Sequence, residues 1–348
     1  MRAGLRLAFG CLSVLLAGAA TGCSGGPRPA PESGAGPSAV TAPGAATNLD
    51  FGYGVEDPTS VSCASVSFCM AVLQSGYAAI YNGTSWSRPT RLSSSAGQPD
   101  SVSCPTISFC LAVDARDSSA FLFNGSTWSS APPINEPAAS AEPGMASVSC
   151  SAPGFCAAVD NGSDAFTFNG TSWSSATVID PGNELGTVSC PSASFCAAVD
   201  YGPNVITFNG TAWSKPSAID PAGYLQAVSC ATVSFCVAID RRGNALTYNG
   251  SSWSAPVNAD PNGLSMGEGG ISWPVVSCPT SDFCAAVDGS DGDLVTFDGS
   301  GWTAPVNVDS KAANSVSGPV LEFLMSVSCR SAAFCVAGDS SGDAFVRH

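Results

Sequence analysis

Histidine is almost absent: the chain has one, His348, at the last position of the sequence. Without an internal imidazole, His–Cys zinc sites and His-dependent catalysis inside the fold fall away. Charge is scarce too. Only 11% of the 348 residues are charged, and 12 Lys plus Arg stand against 27 acidic residues, a net charge of −15. So poor a basic complement excludes nucleic acid as a partner, because phosphate binding needs a basic footprint. The same scarcity, with 37 Gly and 25 Pro, excludes coiled coils and helical bundles. What the chain has in excess is cysteine. Sixteen Cys are too many for a reducing compartment unless metals hold them.

The N-terminus reads as an export signal. Residues 1–22 carry Arg2 and Arg6, then the apolar run LAFGCLSVLLAGAA, and end in Ala20-Thr21-Gly22 before Cys23. A basic start, a short apolar stretch and small residues describe a secretory signal, and the run is short for a bilayer, which needs about 20 residues. The Ala-Thr-Gly-Cys sequence resembles the lipobox of bacterial lipoproteins, which implies cleavage before Cys23 and lipidation of that residue. Residues 23–47 are Gly, Pro, Ala and Ser with almost no apolar bulk. Such a segment cannot offset the entropy of ordering and reads as a disordered tether. The expected location is the outer face of the cell membrane, reached only through the lipid.

Residues 48–348 are one repeat, met seven times. A Val-Ser-Cys places its Cys at Cys63, Cys104, Cys150, Cys190, Cys230, Cys278 and Cys329. A second Cys, always preceded by Phe, follows six residues later at Cys69, Cys110, Cys156, Cys196, Cys236, Cys284 and Cys335. An apolar stretch such as AAVD comes next. Then comes Asn-Gly or Asp-Gly at Asn82, Asn124, Asn169, Asn209, Asn249 and Asp298, with Trp86, Trp128, Trp173, Trp213, Trp253 and Trp302 three residues past each Gly. Each unit holds four short runs rich in Val, Ile, Phe, Tyr and Trp between turn residues, and no helical periodicity. Asn-Gly between apolar runs predicts a tight two-residue hairpin with both turn residues at positive φ. Four strands in about 40–45 residues make a blade. The expectation is an all-β, seven-bladed β-propeller with four-stranded antiparallel blades. The seventh unit stops at the turn, so an N-terminal strand should complete the last blade and close the ring. Matching Asp57-Pro58 to Asp220-Pro221 assigns that strand to residues 49–55 (LDFGYGV), with Phe51 near the Trp position.

The paired Cys face each other on an antiparallel hairpin at a separation suited to a disulfide. Metal ligation favours Cys-x2-Cys spacing and four ligands together, which seven pairs around a ring do not provide. Cys11 leaves with the signal and Cys23 takes the lipid. The recurrent Phe and Trp serve every blade, so they read as packing between sheets rather than a sugar-stacking set. The five Asn-Gly-Ser/Thr of the hairpins, at Asn82, Asn124, Asn169, Asn209 and Asn249, match glycosylation sequons, although the turn alone accounts for them. Asp114, Asp160, Asp200, Asp240, Asp288 and Asp339 end the second strand and read as turn caps. The dense group Asp288, Asp291 and Asp293 lacks the spacing and Glu of a calcium loop. No metal or cofactor is called for.

The segment Thr167-Phe-Asn-Gly-Thr-Ser-Trp173 resembles the Asp-box hairpin of sialidase-like propellers, shortened by one residue and with Asn for Asp. That implies blade architecture and not sialidase chemistry, since no Arg cluster stands out. Over all seven units the pattern is similar to Cys-paired repeats of secreted actinobacterial proteins. Function should sit on the inter-blade connections, which carry the length variation, because variable loops on a rigid scaffold are where binding resides. The non-repeated residues there are Tyr224, Met266, Glu268, Trp273, Leu321 and Phe323. The reading is a monomeric, non-catalytic module that binds a protein or polysaccharide at the cell surface. The alternative is a glycan-active hydrolase or lyase with Glu268 and Asp260 as acid and base.

Overall fold

The computed structural model describes residues 47–49, 58–93, 97–134, 144–259, 275–287, 292–309 and 323–348. They form seven four-stranded antiparallel sheets, and no helix occurs among them. Six sheets are consecutive in sequence, running over residues 58–91, 99–130, 145–178, 185–218, 225–258 and 275–307; we number these blades 1 to 6. Blade 7 joins β26 (Leu324–Ser331), β27 (Phe334–Asp339) and β28 (Asp343–Arg347) to β1 (Thr47–Asn48), in the order β1-β28-β27-β26. The ring is therefore closed by an N-terminal strand, as expected.

The register of that strand differs from the expectation. Thr47 pairs with Ala344 and Asn48 with Asp343, whereas residues 50–55 lie outside the described residues. The Asp57-Pro58 match misplaced it: Pro58 opens the first strand of blade 1 opposite Leu73, just as Leu225 opens that of blade 5 opposite Asp240. The counterpart of Thr47-Asn48-Leu49 is Thr177-Val178-Ile179 of blade 3, where Ile179 is likewise buried behind a two-residue outer strand.

The second strand of each blade explains why its run is apolar throughout. In β11 (Phe155–Asp160), Cys156 and Ala158 face a cluster shared with Leu111 and Val113 of blade 2. Ala157 and Val159 face one shared with Leu185, Val188 and Ile206 of blade 4. A strand buried on both faces has no polar alternation to show. The same packing crosses the closure, where Leu49, Phe334, Val336 and Ala344 of blade 7 join Val61, Ala71 and Trp86 of blade 1. The recurrent aromatics sit at these seams: Phe155 stacks on Phe208 of the next blade at 6.0 Å, and Phe208 meets Trp213 at 5.2 Å.

Seven disulfides staple the first strand of each blade to the second, Cys63–Cys69 through Cys329–Cys335, with Cα atoms 3.9–4.1 Å apart. A second device links blade to blade. The Ser of each Val-Ser-Cys accepts the N–H of the first Cys in the next blade. The donors Cys104, Cys150, Cys190, Cys230, Cys278 and Cys329 meet Ser62, Ser103, Ser149, Ser189, Ser229 and Ser277 at 2.9–3.0 Å. Cys63 of blade 1 donates to Ser328 of blade 7 at 2.9 Å and completes the circle. The first strand of a blade has one edge without a strand partner, and these hydroxyls satisfy it.

The Asn-Gly hairpins are not two-residue turns. Gly170 has φ +92°, but Asn169 is not at positive φ. The loop holds four residues between paired Phe168 and Trp173. Asn169 Oδ1 accepts from the N–H and hydroxyl of Thr171 and the N–H of Ser172 at 2.8–2.9 Å, so the side chain replaces one turn residue's backbone role. A Cβ on Gly170 would also stand 3.3 Å from Gly154 of the neighbouring hairpin.

Candidate functional site

The turn from second to third strand and the connection between blades share one face. Asp200 caps the turn of blade 4 there, its Oδ1 accepting the N–H groups of Gly202 and Asn204 at 3.0 and 2.7 Å. Asp160, Asp240 and Asp339 do the same in their blades. The expected turn-capping role is what the described Asp residues perform. Asp288 and Asp291 lie outside the described residues, as do Met266, Glu268, Trp273, Asp260 and Leu321. No group of three metal-ligating side chains occurs among the described residues.

A second set of buried Asp was not recognised in the sequence. Asp180, Asp220 and Asp309 come from the connections and lie against the capping Asp of the following blade. Asn204 Nδ2 donates to Asp200 Oδ2 at 2.7 Å and to Asp180 Oδ2 at 3.4 Å, bridging one such pair. Burial, and then the neighbouring Asp240, raises the carboxyl of Asp220. Burial with Asp343 and Asp309 nearby pushes Asp339 up to about 7. Asp100 rises to about 6, chiefly through burial and then through Asp114. Asp339 caps its turn, Asp220 lies in a connection and Asp100 in the first strand of blade 2; the raised carboxyls mean that folding favours the protonated form of each. The signal for the second set is the Asp that closes TVID, SAID and VNVD before each connection.

Around the caps runs a ring of variable residues. The residue just before each first strand accepts a backbone hydrogen bond from the residue just after the capping Asp. The pairs are Gln98–Ala115, Gly144–Asn161, Glu184–Tyr201, Tyr224–Arg241 and Phe323–Ser340, at 2.8–3.3 Å. The predicted Tyr224 and Phe323 thus hold equivalent positions in blades 5 and 7, fixed by their backbones while their side chains vary. Tyr224 is 53% exposed, and the Arg241 guanidinium lies 5.7 Å from its ring centroid. Tyr201 is partly buried, its ring 3.1 Å from where a Cβ on Gly186 would stand. Burial, and then Glu184, raises its phenol. Sequence reasoning missed Arg241 and Tyr201; the signal is that chemistry changes abruptly one residue after an Asp that does not.

No protein-family model matches the chain, and no curated protein matches it. Solved structures do. The WD40 repeats of RRP9 superpose with a TM-score of 0.69 at 10% identity, covering 88% of this chain and 99% of that one. The WD40 β-propeller domain of Doa1 gives 0.66 at 11% identity over 89% and 97%. YCF48 bound to D1 peptide gives 0.63 at 14% identity over 87% and 96%. Identities this low speak for architecture alone. With the seven sheets and their closure, they identify the chain as a seven-bladed β-propeller.

Proposed function

We propose that this propeller is a non-catalytic binding module whose ligand, a protein segment, engages the loop face around Tyr224 and Arg241. The supporting observation is a division of labour. The residues common to the blades serve staples, seams, turns and the serine circle. The positions free to differ gather on one face of a stiff ring. There they present an exposed aromatic beside a cation, a combination favoured where proteins meet. YCF48, a propeller of similar shape, was solved with a peptide bound.

The chain works at the outer face of the cell membrane as a monomer. It is held by a lipid on Cys23 after removal of residues 1–22, with residues 23–46 as tether and the binding domain beginning at Thr47, the first residue of the closing strand. Seven disulfides suit an oxidising compartment. Among the raised carboxyls, Asp200 and Asp339 serve the turns as caps.

Two experiments test this. Affinity capture with the tethered propeller, followed by cross-linking, should enrich a partner that Tyr224→Ala and Arg241→Ala each release. Equal retention by both variants would remove the loop face as the site. Cys23→Ala should free the protein from membranes; unchanged membrane association would end the anchor reading.

A further inference from the structure

Two kinds of turn make up the face opposite the loops. One joins the first strand of a blade to the second, between the paired Cys; the other is the Asn-Gly or Asp-Gly hairpin after the third strand. They lie side by side, since a Cβ on Gly83 or Gly299 of the hairpins would stand 3.1 or 3.2 Å from Ser67 or Asp282 of the Cys turns. The residue three past each first Cys forms the tip of its turn. It is Val66, Ile107, Pro153, Ala193, Val233 or Ala332 in blades 1, 2, 3, 4, 5 and 7, exposed in each, and Ser281 in blade 6. Val66 is 55%, Ile107 58% and Val233 48% exposed. Turn chemistry does not ask for them. A two-residue turn such as the one between paired Ser65 and Phe68 is served by Asn, Asp, Gly or Ser, and an aliphatic side chain left in water there gains nothing from burial within this chain.

Charge is divided between the two faces. Among the described residues, Asp and Glu stand at the loop-face ends of the strands, in the second-to-third turns or in the connections, from Asp100 and Asp114 of blade 2 to Asp339 and Asp343 of blade 7. The exceptions are Asp282 and Asp298, both in blade 6, and the exposed Arg330 lies on their face. A chain of net charge −15 thus holds its acids at one end of the ring and its apolar tips at the other.

We propose that the circle of turn tips at Val66, Ile107 and Val233 is a contact surface for a lipid bilayer, on which the ring settles with its loop face turned outward. The proposal deepens the lipid-anchored reading and rests on it. A lipid on a tether brings the ring within reach of the bilayer but does not choose a face. The tips do, because aliphatic side chains gain by leaving water for the boundary between headgroups and acyl chains. The acids act in the same direction, since anionic headgroups repel them and the face that holds them is the one left toward solvent. A protein partner fits the circle less well: interface anchors are Tyr, Trp and Arg set in pockets, whereas these tips are small, aliphatic and borne on separate blades. Tyr224 and Arg241 then point away from the membrane, where a partner can reach them.

Hydrogen exchange tests this on the full-length protein, expressed with residues 1–22 and mixed with vesicles of phosphatidylcholine and phosphatidylglycerol, against the Cys23→Ala protein in solution at the same concentration. Exchange in the turns at Val66, Ile107 and Val233 should slow about tenfold on the vesicles, while the loop-face turn at Arg241 and Arg242 keeps its rate. Val66→Asp, Ile107→Asp and Val233→Asp combined, all at exposed sites, should abolish that protection and leave the protein in the vesicle fraction, held by its lipid. A wild type that does not partition with vesicles would end the anchor reading and this proposal with it. A wild type held on vesicles with its Cys turns unslowed, or slowed at Arg241 and Arg242 instead, would overturn this proposal alone. So would protection that survives the triple substitution, or equal protection in the soluble protein, which would assign the tips to a second copy of the chain.

Discussion

Raising the pH should loosen this propeller, and Asp339 carries much of the effect. Its carboxyl is fully buried and its pKa stands at about 7 instead of 3.8. The folded state therefore holds a proton that the unfolded chain has already released at neutral pH. Stability from this group is complete below the unfolded pKa near 3.8, falls as pH rises toward 7, and stays at its lower level above that. At about 1.4 kcal/mol per unit, the loss is on the order of 4 kcal/mol. Asp100, raised to about 6, adds in the same direction, as does the repulsion of a chain with net charge −15. Asp339→Asn separates the local cause from the global one. The amide keeps an acceptor for the N–H groups of Ser341 and Asp343, bonded at 2.9 and 2.7 Å, but does not titrate. Guanidinium denaturation at pH 4.5 and pH 8, disulfides intact, should show the wild type more stable at pH 4.5 and the variant with a flatter profile. A wild type that gains stability with pH, or a variant with an unchanged slope, would refute the reasoning.

Other perturbations act on the frame. Ser149→Ala leaves the Cys190 N–H without its acceptor and should cost about 1–3 kcal/mol by thermal unfolding; no loss would mean the serine circle is incidental. Replacing Cys150 and Cys156 by Ala opens a loop of sequence separation 6, and chain entropy sets its cost near 2 kcal/mol; calorimetry of the double variant checks it. Asn169→Asp should leave the hairpin intact, because Asp298 already serves there, its carboxyl held low by the hydroxyl and N–H of Ser300 and the N–H of Gly301. Asn169→Ala should lower stability by about 1 kcal/mol; equal stability of the two variants would show that the side-chain acceptor is unimportant.

The frame was legible because its residues recur. The spacing of the Cys pairs gave the staples, and the apolar run FCAAVD gave a strand whose burial on both faces only the neighbouring blades reveal. The Ser of Val-Ser-Cys recurs just as strictly, yet its partner lies one blade away, so nothing within a single unit shows what its hydroxyl meets. The closing strand was anticipated in place but not in register. Two residues without aromatic or Cys markers make the pairing, and the nearby Asp57-Pro58 offered a false anchor. The Asn-Gly hairpin misled through a shared dipeptide, since a four-residue loop capped by its own Asn and a two-residue turn begin alike. The candidate site was legible only as variation. Tyr224 and Phe323 stand out as bulky residues in connections, whereas Arg241 and Tyr201 sit in turns whose neighbours look routine.

The account rests on a closed ring whose last blade is completed by the strand at Thr47 and Asn48. Thr47→Cys with Ala344→Cys introduces thiols at directly paired positions. Peptide mapping of the unreduced protein should find a new link between residues 47 and 344 beside seven intact native pairs. Two free thiols at those positions, with the native pairs undisturbed, would contradict the closure.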